Sequence, residues 1–379
     1  MENFTAYNPT KLHFGKNIIE KLGDATLEFG KKVLLIYGKG SVQKNGIYDK
    51  VIAQLNAVDA EIFEYSGIKP NPIVEDVSEV AQIGKLNNVD VIVAVGGGSV
   101  IDSAKIAALA IANNTDPWAI MKYKSKPTKT IPLIAVLTLA ATGTEMNGAA
   151  VLQNPETKEK IGYVSPLNYP KHSFLDPEFT FSVPKNYTAY GVVDLIAHAL
   201  EAYFGDGDAS LSDRFVEVII KEAMEYGPLV LKNPENYEYR ANIMWAATTA
   251  LNGMTNYGRK SGDWGVHDIG HNISYLYDTA HGATLSIAYI AWLKLQKNRI
   301  PKRITKLGNQ LFGTNSVDDT ISNLERFFKS IDCPTRLSDI GIKNDKQEEI
   351  IKQMQKTKIN GMVHQFSDND RSKIVQLMM

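Results

Sequence analysis

Apolar and polar positions follow different periods in the two halves of the chain. Between residues 32 and 176, short and nearly continuous apolar runs alternate with helical stretches. Apolar runs separated by helices predict parallel strands that are buried on both faces of a sheet. The predicted strands are 33–37, 61–65, 89–95 and 131–137.

After Pro184 the strand pattern ends, and apolar positions recur at helical spacing. Helices are predicted over 185–204, 214–226, 240–251 and 304–312, with breaks at Gly227-Pro228 and Asn233-Pro234. The turn-forming prolines between residues 175 and 184 mark the expected boundary. The sequence therefore predicts an α/β domain over 1–183 and an all-helical domain over 184–379.

Composition narrows the class of protein. With 379 residues and 44% hydrophobic content, the chain can bury an extensive core. Its 41 basic and 42 acidic residues nearly cancel, which is unlike a nucleic-acid binder and favours small-molecule chemistry. The single cysteine, Cys333, excludes an intramolecular disulfide and a zinc site built from several thiolates. No signal-like start and no run of about 20 apolar residues is present, so we expect a cytoplasmic protein without a membrane partner.

A predicted strand runs directly into Gly96-Gly97-Gly98-Ser99, and a helical pattern follows. Glycine lets the backbone approach a phosphate closely, and the start of a helix presents unpaired N–H groups to an anion. The segment therefore predicts a pyrophosphate-binding turn, although it is not the GxGxxG fingerprint. The structural alternative is a tight strand-to-helix turn without a ligand.

Gly38-Lys39-Gly40-Ser41 closes the first predicted strand in the same way. Ligands gather at the carboxyl ends of strands in an open parallel sheet, so both turns fit one cofactor site. No acidic residue is present to bind a free ribose hydroxyl, whereas Lys39 and Ser41 suit a 2′-phosphate. We therefore predict that NADP(H) is preferred over NAD(H), with an ordinary surface turn as the alternative.

A third loop, residues 138–147, follows the predicted strand 131–137. Its hydroxyl groups and glycine suit a diphosphate and a nicotinamide, although such loops also serve as helix caps.

Acidic and histidine side chains cluster in the helical half. Asp194 and His198 are four residues apart in a predicted helix and share one face, as do His267 and His271. His281 follows, so four of the seven histidines lie between positions 198 and 281, with glycine-rich flanks. This clustering favours a divalent-metal site with five candidate ligands over separate buried histidines.

Four motifs combine these features: Gly96-Gly97-Gly98-Ser99-x-x-Asp102, the 138–145 loop, Asp194-x-x-x-His198-Ala-x-Glu201, and His267-x-x-x-His271 followed by His281-Gly282. Together they resemble the group III, iron-containing alcohol dehydrogenases. The resemblance runs over the whole chain and is strongest to the butanol dehydrogenase and broad aldehyde reductase branch. It implies a Rossmann-like N-terminal domain, a helical C-terminal domain as in the dehydroquinate synthase-like architecture, and a homodimer. The implied substrates are short-chain primary alcohols and aldehydes such as butanol and butyraldehyde.

The resemblance also assigns roles to individual residues. It implies that Asp194, His198, His267 and His281 are the metal ligands, and it leaves His271 outside that set. His271 lies one turn beyond His267, so we assign it a catalytic role in proton relay or substrate hydrogen bonding, with simple packing as the alternative. The cofactor-binding residues predicted from the turns and the resemblance are Gly38, Gly40, Ser41, Asn71, Gly97, Gly98, Ser99, Thr138, Asn147 and Lys160.

Two positions depart from the family pattern. Many members carry a second threonine where this chain has Leu139, so no hydroxyl role can be assigned there. Relatives that prefer NAD tend to carry aspartate at the position of Gly38, and its absence here supports the NADP(H) prediction.

The predicted activity is hydride transfer between a nicotinamide and an alcohol or aldehyde held at a divalent ion, Fe²⁺ or Zn²⁺, which acts as a Lewis acid. Three imidazoles and one carboxylate leave a coordination position for the substrate oxygen but do not select the metal. One alternative is a metal- and NAD-dependent lyase resembling 3-dehydroquinate synthase, which would need clustered basic residues where only Arg259 and Lys260 occur. A second is a non-enzymatic metal- or nucleotide-binding protein, which would have no reason to combine both sites.

Overall fold

The computed structural model describes residues 1–379. The chain divides into two compact units. One, here named the sheet unit, comprises Tyr7–Val183 and Glu235–Met244. The other, the helical unit, comprises Met1–Ala6, Pro184–Pro234 and Trp245–Met379.

The sheet unit contains eight strands: β1 Lys11–Phe14, β2 Lys32–Gly38, β3 Glu61–Ile68, β4 Val91–Gly96, β5 Leu133–Leu137, β6 Ala149–Asn154, β7 Glu159–Val164 and β8 His172–Leu175. Six of them form one sheet in the order β1-β8-β5-β4-β2-β3. Every neighbouring pair in this sheet is parallel. Strands β6 and β7 form a separate antiparallel pair.

The four strands expected from the apolar runs are confirmed as β2, β3, β4 and β5. Strands β1 and β8 were not predicted, because each has only four residues and neither presents a continuous apolar run. The hairpin of β6 and β7 was not predicted either: buried and partly exposed positions alternate in β6, and β7 buries only Lys160 and Tyr163. Such strands carry too few apolar residues to be distinguished from loops by periodicity.

Helices cover both faces of the parallel sheet. Those of the N-terminal half are α1 Leu22–Leu27, α2 Ser41–Lys44, α3 Ile47–Ala57, α4 Val74–Asn87, α5 Gly98–Asn113 and α6 Pro117–Met121. Val33, Leu35 and Tyr37 of β2 pack in one core with residues of α1 and α3. Leu34 and Ile36 point the opposite way and pack with α4 and α5. Burial on both faces explains the continuous apolar runs of these strands.

Nine α-helices follow Pro184, and no strand follows β8: α7 Lys185–Tyr203, α8 Ser210–Lys232, α9 Tyr237–Ala250, α10 Gly265–Tyr277, α11 His281–Gln296, α12 Pro301–Phe312, α13 Val317–Ser330, α14 Gln347–Lys356 and α15 Asp368–Met378. The α/β and all-helical fold class is thus confirmed. Helix α11 is buried except at His281 and Lys294 and packs against α7, α10 and α15. No helix combines the length and apolar character needed to cross a membrane.

The expected helix break at Gly227-Pro228 is wrong. Helix α8 continues through Pro228 and ends at Lys232, where Asn233 donates its backbone N–H to Leu229 at 3.0 Å. Proline removes one hydrogen bond from a helix, but tertiary packing offsets this local cost. Gly227 lies against Val192 of α7, at a distance where an added Cβ would be 3.1 Å from the valine side chain.

Candidate functional site

The predicted cofactor turns lie at one edge of the parallel sheet. Strands β2, β4 and β5 are neighbours, and Tyr37 pairs with Val95 while Gly96 pairs with Leu137. Thr138 donates its backbone N–H to Gly96 at 3.0 Å. The chain segments that follow these three strands therefore begin side by side, at the edge where open parallel sheets bind ligands.

The glycine-rich turn joins β4 to α5, a 16-residue helix whose N-terminus has no side-chain cap. Gly97 is extended, with φ −83° and ψ −168°, and Gly98 begins the helix. A Cβ on Gly98 would lie 2.8 Å from the Thr142 side chain, and one on Gly97 would lie 3.2 Å from Leu139. The turn therefore needs glycine to pack against the 138–147 loop as well as to leave its N–H groups accessible.

Ser99 follows this turn, and its hydroxyl donates to the carbonyl of Pro70. Asn71, the next residue along that segment, accepts a 2.7 Å hydrogen bond from Lys160 Nζ, and both side chains are buried. Ser99, Asn71 and Lys160, which are predicted cofactor residues, are thus linked through the Pro70–Asn71 segment, although they lie far apart along the chain.

The second turn leads from β2 into the short helix α2. Gly40 has φ 96°, a left-handed conformation that favours glycine, and Ser41 is the first residue of α2. Lys39 between them is exposed. Glu64, on the neighbouring strand β3, accepts hydrogen bonds from two tyrosine hydroxyls, those of Tyr37 and Tyr48, each at 2.8 Å.

A buried lysine organises the 138–147 loop, a feature that was not predicted from the sequence. Lys105 of α5 donates from Nζ to Thr144 Oγ1 at 2.6 Å, to Asn147 O and Oδ1 at 2.9 and 3.2 Å, and to Ala149 O at 2.7 Å. Asp102, one turn earlier, accepts from Thr144 Oγ1 at 2.6 Å and from Val151 N at 2.9 Å. Burial lowers the pKa of Lys105 to about 8, against the opposing effect of the Asp102 carboxylate.

Asn147, one of the predicted cofactor residues, is bonded within this network. Its Nδ2 donates to Gly143 O at 2.8 Å, and its Oδ1 accepts from the Ala149 backbone N–H at 2.9 Å. One feature of the sequence could have predicted this network. Asp102 and Lys105 are three residues apart, on one face of a helix that begins at the glycine turn.

Three helices of the helical unit bring the predicted metal ligands together. Helix α7 carries Asp194 and His198, α10 carries His267, and α11 begins at His281. Two glycines permit the close approach of these helices. A Cβ on Gly282 would overlap the carbonyl oxygen of Tyr190 in α7, and one on Gly270 would lie 2.9 Å from Thr284 Oγ1 in α11. The glycine-rich flanks noted in the sequence therefore reflect helix packing around the cluster.

The ligand atoms of Asp194, His267 and His281 lie within 4.8 Å of one another. His198 adjoins this group: its Nδ1 is 3.6 Å from Asp194 Oδ1, and its ring stacks on His267 with centroids 4.6 Å apart. The structure thus groups three of the four predicted ligands and places the fourth beside them. His271 lies one turn further along α10, with its ring centroid 5.0 Å from that of His281.

The donor set fits a divalent cation. Asp194 Oδ1 and His267 Nε2 are buried, are 3.8 Å apart and have no hydrogen-bond partner, a costly arrangement that a shared cation would relieve. Burial lowers the pKa of His198 to about 4, which keeps this imidazole neutral and able to donate a lone pair. Burial also acts to lower the pKa of His267, but Asp194 and Glu201 reverse this effect and raise it to about 9, so a cation bound at Nε2 would displace a proton from this ring.

A glycine-rich turn at the carboxyl edge of a parallel sheet and a buried Asp–His cluster between packed helices are typical of metal-dependent, nicotinamide-linked oxidoreductases. Two family profiles match the chain: iron-containing alcohol dehydrogenase over residues 9–177, and the C-terminal region of Fe-containing alcohol dehydrogenases over 188–379. The chain belongs to the iron-containing alcohol dehydrogenase family.

Similar proteins extend over the full chain. A probable NADH-dependent butanol dehydrogenase of Bacillus subtilis is 40% identical over 100% of this chain and 99% of its own length. The NADPH-dependent aldehyde reductase YqhD of Escherichia coli is 36% identical over 98% and 96%. The crystal structure of NADH-dependent butanol dehydrogenase A of Thermotoga maritima superimposes with a TM-score of 0.96 at 38% identity, covering 100% of this chain and 99% of the other.

Proposed function

We propose that this protein is a metal-dependent alcohol dehydrogenase that transfers a hydride between a nicotinamide dinucleotide and a short-chain primary alcohol or aldehyde, such as butanol or butyraldehyde. The observation that carries the proposal is the convergence of Asp194, His267 and His281 ligand atoms within 4.8 Å in a member of this family. The relatives described above are named as dehydrogenases and an aldehyde reductase, so the lyase alternative has no support among them.

The proposed metal ligands are Asp194, His198, His267 and His281. When bound, the ion would polarise a substrate carbonyl and the nicotinamide would supply the hydride. Asp194, His198 and His267 are buried, so a substrate oxygen bound there would lie where electrostatic interactions are stronger than in water. Fe²⁺ and Zn²⁺ are both compatible with three imidazoles and one carboxylate.

We assign His271 to proton transfer at the substrate oxygen. It lies on α10, the helix that carries His267, and its ring stacks on that of His281 at the start of α11. The residue is 8% exposed, so a small part of it reaches solvent. A protonated imidazole in this position can donate its proton to the alkoxide oxygen that hydride transfer to the aldehyde produces, which gives the alcohol, and then recover a proton from water.

The proposed cofactor site comprises the turns after β2 and β4, the 138–147 loop, and the Asn71–Lys160 pair. We propose a preference for NADP(H), supported by the exposed Lys39 and by the absence of an acidic residue in the Gly38–Ser41 turn. Four relatives named as NADH-dependent are 36–40% identical to this chain and one named as NADPH-dependent is 36% identical, so kinetics with both cofactors test this preference.

We also propose that residues 1–183 and 184–379 are the two domains, apart from the short segments Met1–Ala6 and Glu235–Met244, which are each grouped with the other unit. We further propose that the protein forms a homodimer. Light scattering of the purified protein tests the oligomeric state, with a mass of twice 41.9 kDa expected. A mass of 41.9 kDa would contradict the dimer.

The activity is tested by incubating protein loaded with Fe²⁺ or Zn²⁺ with NADPH or NADH and butyraldehyde, while the absorbance of the reduced cofactor is followed. We expect cofactor oxidation that requires both the ion and the aldehyde. A lyase with an internal redox cycle would leave the added cofactor unchanged. The absence of oxidation across the aldehydes from acetaldehyde to hexanal would contradict the proposed function.

A further inference from the structure

A buried carboxylate contacts the first turn of α10 behind the proposed metal ligands. Glu201 lies on α7, one turn after His198, and is 1% exposed. Its Oε2 accepts from the Trp264 backbone N–H at 2.6 Å. Its Oε1 accepts from His267 twice, from the backbone N–H at 3.0 Å and from ring Nδ1 at 2.9 Å.

We propose that Glu201 is a positioning residue that fixes both the tautomer and the orientation of His267 for metal binding. This inference rests on the proposed role of His267 as a ligand. It assigns to Glu201 a function that is distinct from that of Asp194 and His198 on the same helix, because Glu201 acts through another residue.

The tautomer of His267 follows from which atoms can donate and which can accept a hydrogen bond. An ionised carboxylate only accepts hydrogen bonds, so His267 Nδ1 must carry the hydrogen in this contact. The lone pair for a metal is then on Nε2, the atom that faces Asp194 Oδ1 at 3.8 Å and has no hydrogen-bond partner. Ligating histidines commonly donate their second ring N–H to a carboxylate, which also increases the basicity of the ligand.

The orientation follows from the two contacts of Oε1. Because one oxygen accepts from both the backbone and the ring of His267, the imidazole has little freedom to rotate about its side-chain bonds. The Trp264 contact extends this restraint to the residue before α10, which has φ 65° in a region that bulky side chains rarely adopt. Glu201 therefore holds the backbone and the side chain of the ligand together, and its negative charge lies at the helix N-terminus, where it is favourable.

Glu201→Gln separates this role from simple packing. Glutamine has almost the same volume, but only one of its two terminal atoms accepts hydrogen bonds. In either orientation its NH₂ group would face an N–H donor, that of Trp264 or those of His267. The matched control is Asp263→Asn, which changes another buried carboxylate of the region, one whose Oδ1 accepts from the Val363 and His364 backbone N–H groups at 2.9 and 2.7 Å.

The first measurement is the dissociation constant of Zn²⁺, determined by competition with a chelator for the wild type and both variants. We expect Glu201→Gln to bind Zn²⁺ about 10- to 100-fold more weakly, and Asp263→Asn to lose stability but bind Zn²⁺ as the wild type does. Equal affinity in Glu201→Gln and the wild type, or an equal loss in both variants, would overturn the proposal. A wild type that binds no Zn²⁺ would instead contradict the proposed function itself.

A second measurement needs no variant of Glu201 and remains decisive if Glu201→Gln does not fold. Nitrogen-15 NMR of the Zn²⁺-loaded wild type, with the His267 signals assigned by their loss in His267→Gln, reports which ring nitrogen carries hydrogen. We expect a slowly exchanging Nδ1–H and a metal-bound Nε2. A His267 signal with hydrogen on Nε2, or an Nδ1–H that exchanges freely with water, would overturn the proposal.

Discussion

The glycine-rich turn and the metal cluster are built in opposite ways. The turn consists of four consecutive residues, 96–99, and offers mainly backbone N–H groups to a ligand. The cluster consists of side chains from α7, α10 and α11, which are widely separated in sequence. The turn therefore depends on the lack of side chains at its glycines. The cluster depends on side chains that are present and that are contacted by neighbouring residues such as Glu201.

This difference predicts that different substitutions will damage the two sites. A single added methyl group can block the turn, because the glycine Cα atoms pack against the 138–147 loop. The cluster is expected to fail when a ligand is removed or when one helix shifts against another. Glycine contributes to both sites. In the turn it leaves room for a ligand and for the 138–147 loop, and in the cluster it lets the helices pack closely.

The largest expected effect is at the cluster itself. His267→Ala removes one of the three grouped ligands, and we expect turnover to fall by about 10³-fold, since Lewis-acid polarisation contributes several kcal/mol. Metal content should fall with it, measured by elemental analysis after dialysis. His13→Ala, at a histidine of the sheet unit that is hydrogen-bonded to His172, is the control and should retain both properties. Retention of metal and activity in His267→Ala would show that the cluster is misassigned.

Gly282→Ala tests whether helix approach positions the ligands. The new Cβ would overlap the Tyr190 carbonyl oxygen, so α11 must move away from α7. We expect a loss of about 1–3 kcal/mol in the free energy of unfolding together with weaker metal binding, measured by denaturant titration and chelator competition. Gly162→Ala, where a Cβ would meet nothing within 4 Å, is the matched control. Unchanged metal affinity in Gly282→Ala would show that the close approach of α11 to α7 does not position the metal ligands.

Gly98→Ala tests the turn, and Thr142→Ala separates its two possible roles. A Cβ at position 98 would lie 2.8 Å from the Thr142 side chain, and trimming that side chain relieves most of the conflict. We expect Gly98→Ala to raise the cofactor KM about tenfold, equivalent to ~1.4 kcal/mol, without changing metal content. The double variant should recover stability but not the KM. Recovery of both would mean that Gly98 serves packing alone.

The smallest expected effect concerns cofactor preference. Lys39→Ala should raise the KM for NADPH about fivefold, ~1 kcal/mol, and leave that for NADH unchanged, because only the former carries a 2′-phosphate. Steady-state kinetics with both cofactors measure this. A wild type that prefers NADH, or equal changes for both cofactors, would contradict the NADP(H) proposal.

Much of this architecture could be predicted because its signals are local. Buried parallel strands such as 33–37 are continuous apolar runs, and Asp194 and His198 show helical spacing within one segment. The short strands β1 and β8 gave no such signal, since they are defined by pairing with each other and, for β8, with β5. The break expected at Pro228 failed because packing of α8 outweighs the local preference of proline.

For the site, local patterns in the sequence determined the glycine turns and the five candidate metal ligands, because glycines after a strand and histidines four residues apart in a helix are recognised without their neighbours. The resemblance to a family supplied the rest: Asn71, Thr138, Asn147 and Lys160 as cofactor residues, and His271 as a residue outside the ligand set. Only the tertiary structure decided which of them meet and what holds them. Lys105 reaches Asn147 and Glu201 reaches His267 through contacts between segments 42 and 66 residues apart. No short-range pattern encodes these contacts, because they exist only after the helices and loops have packed.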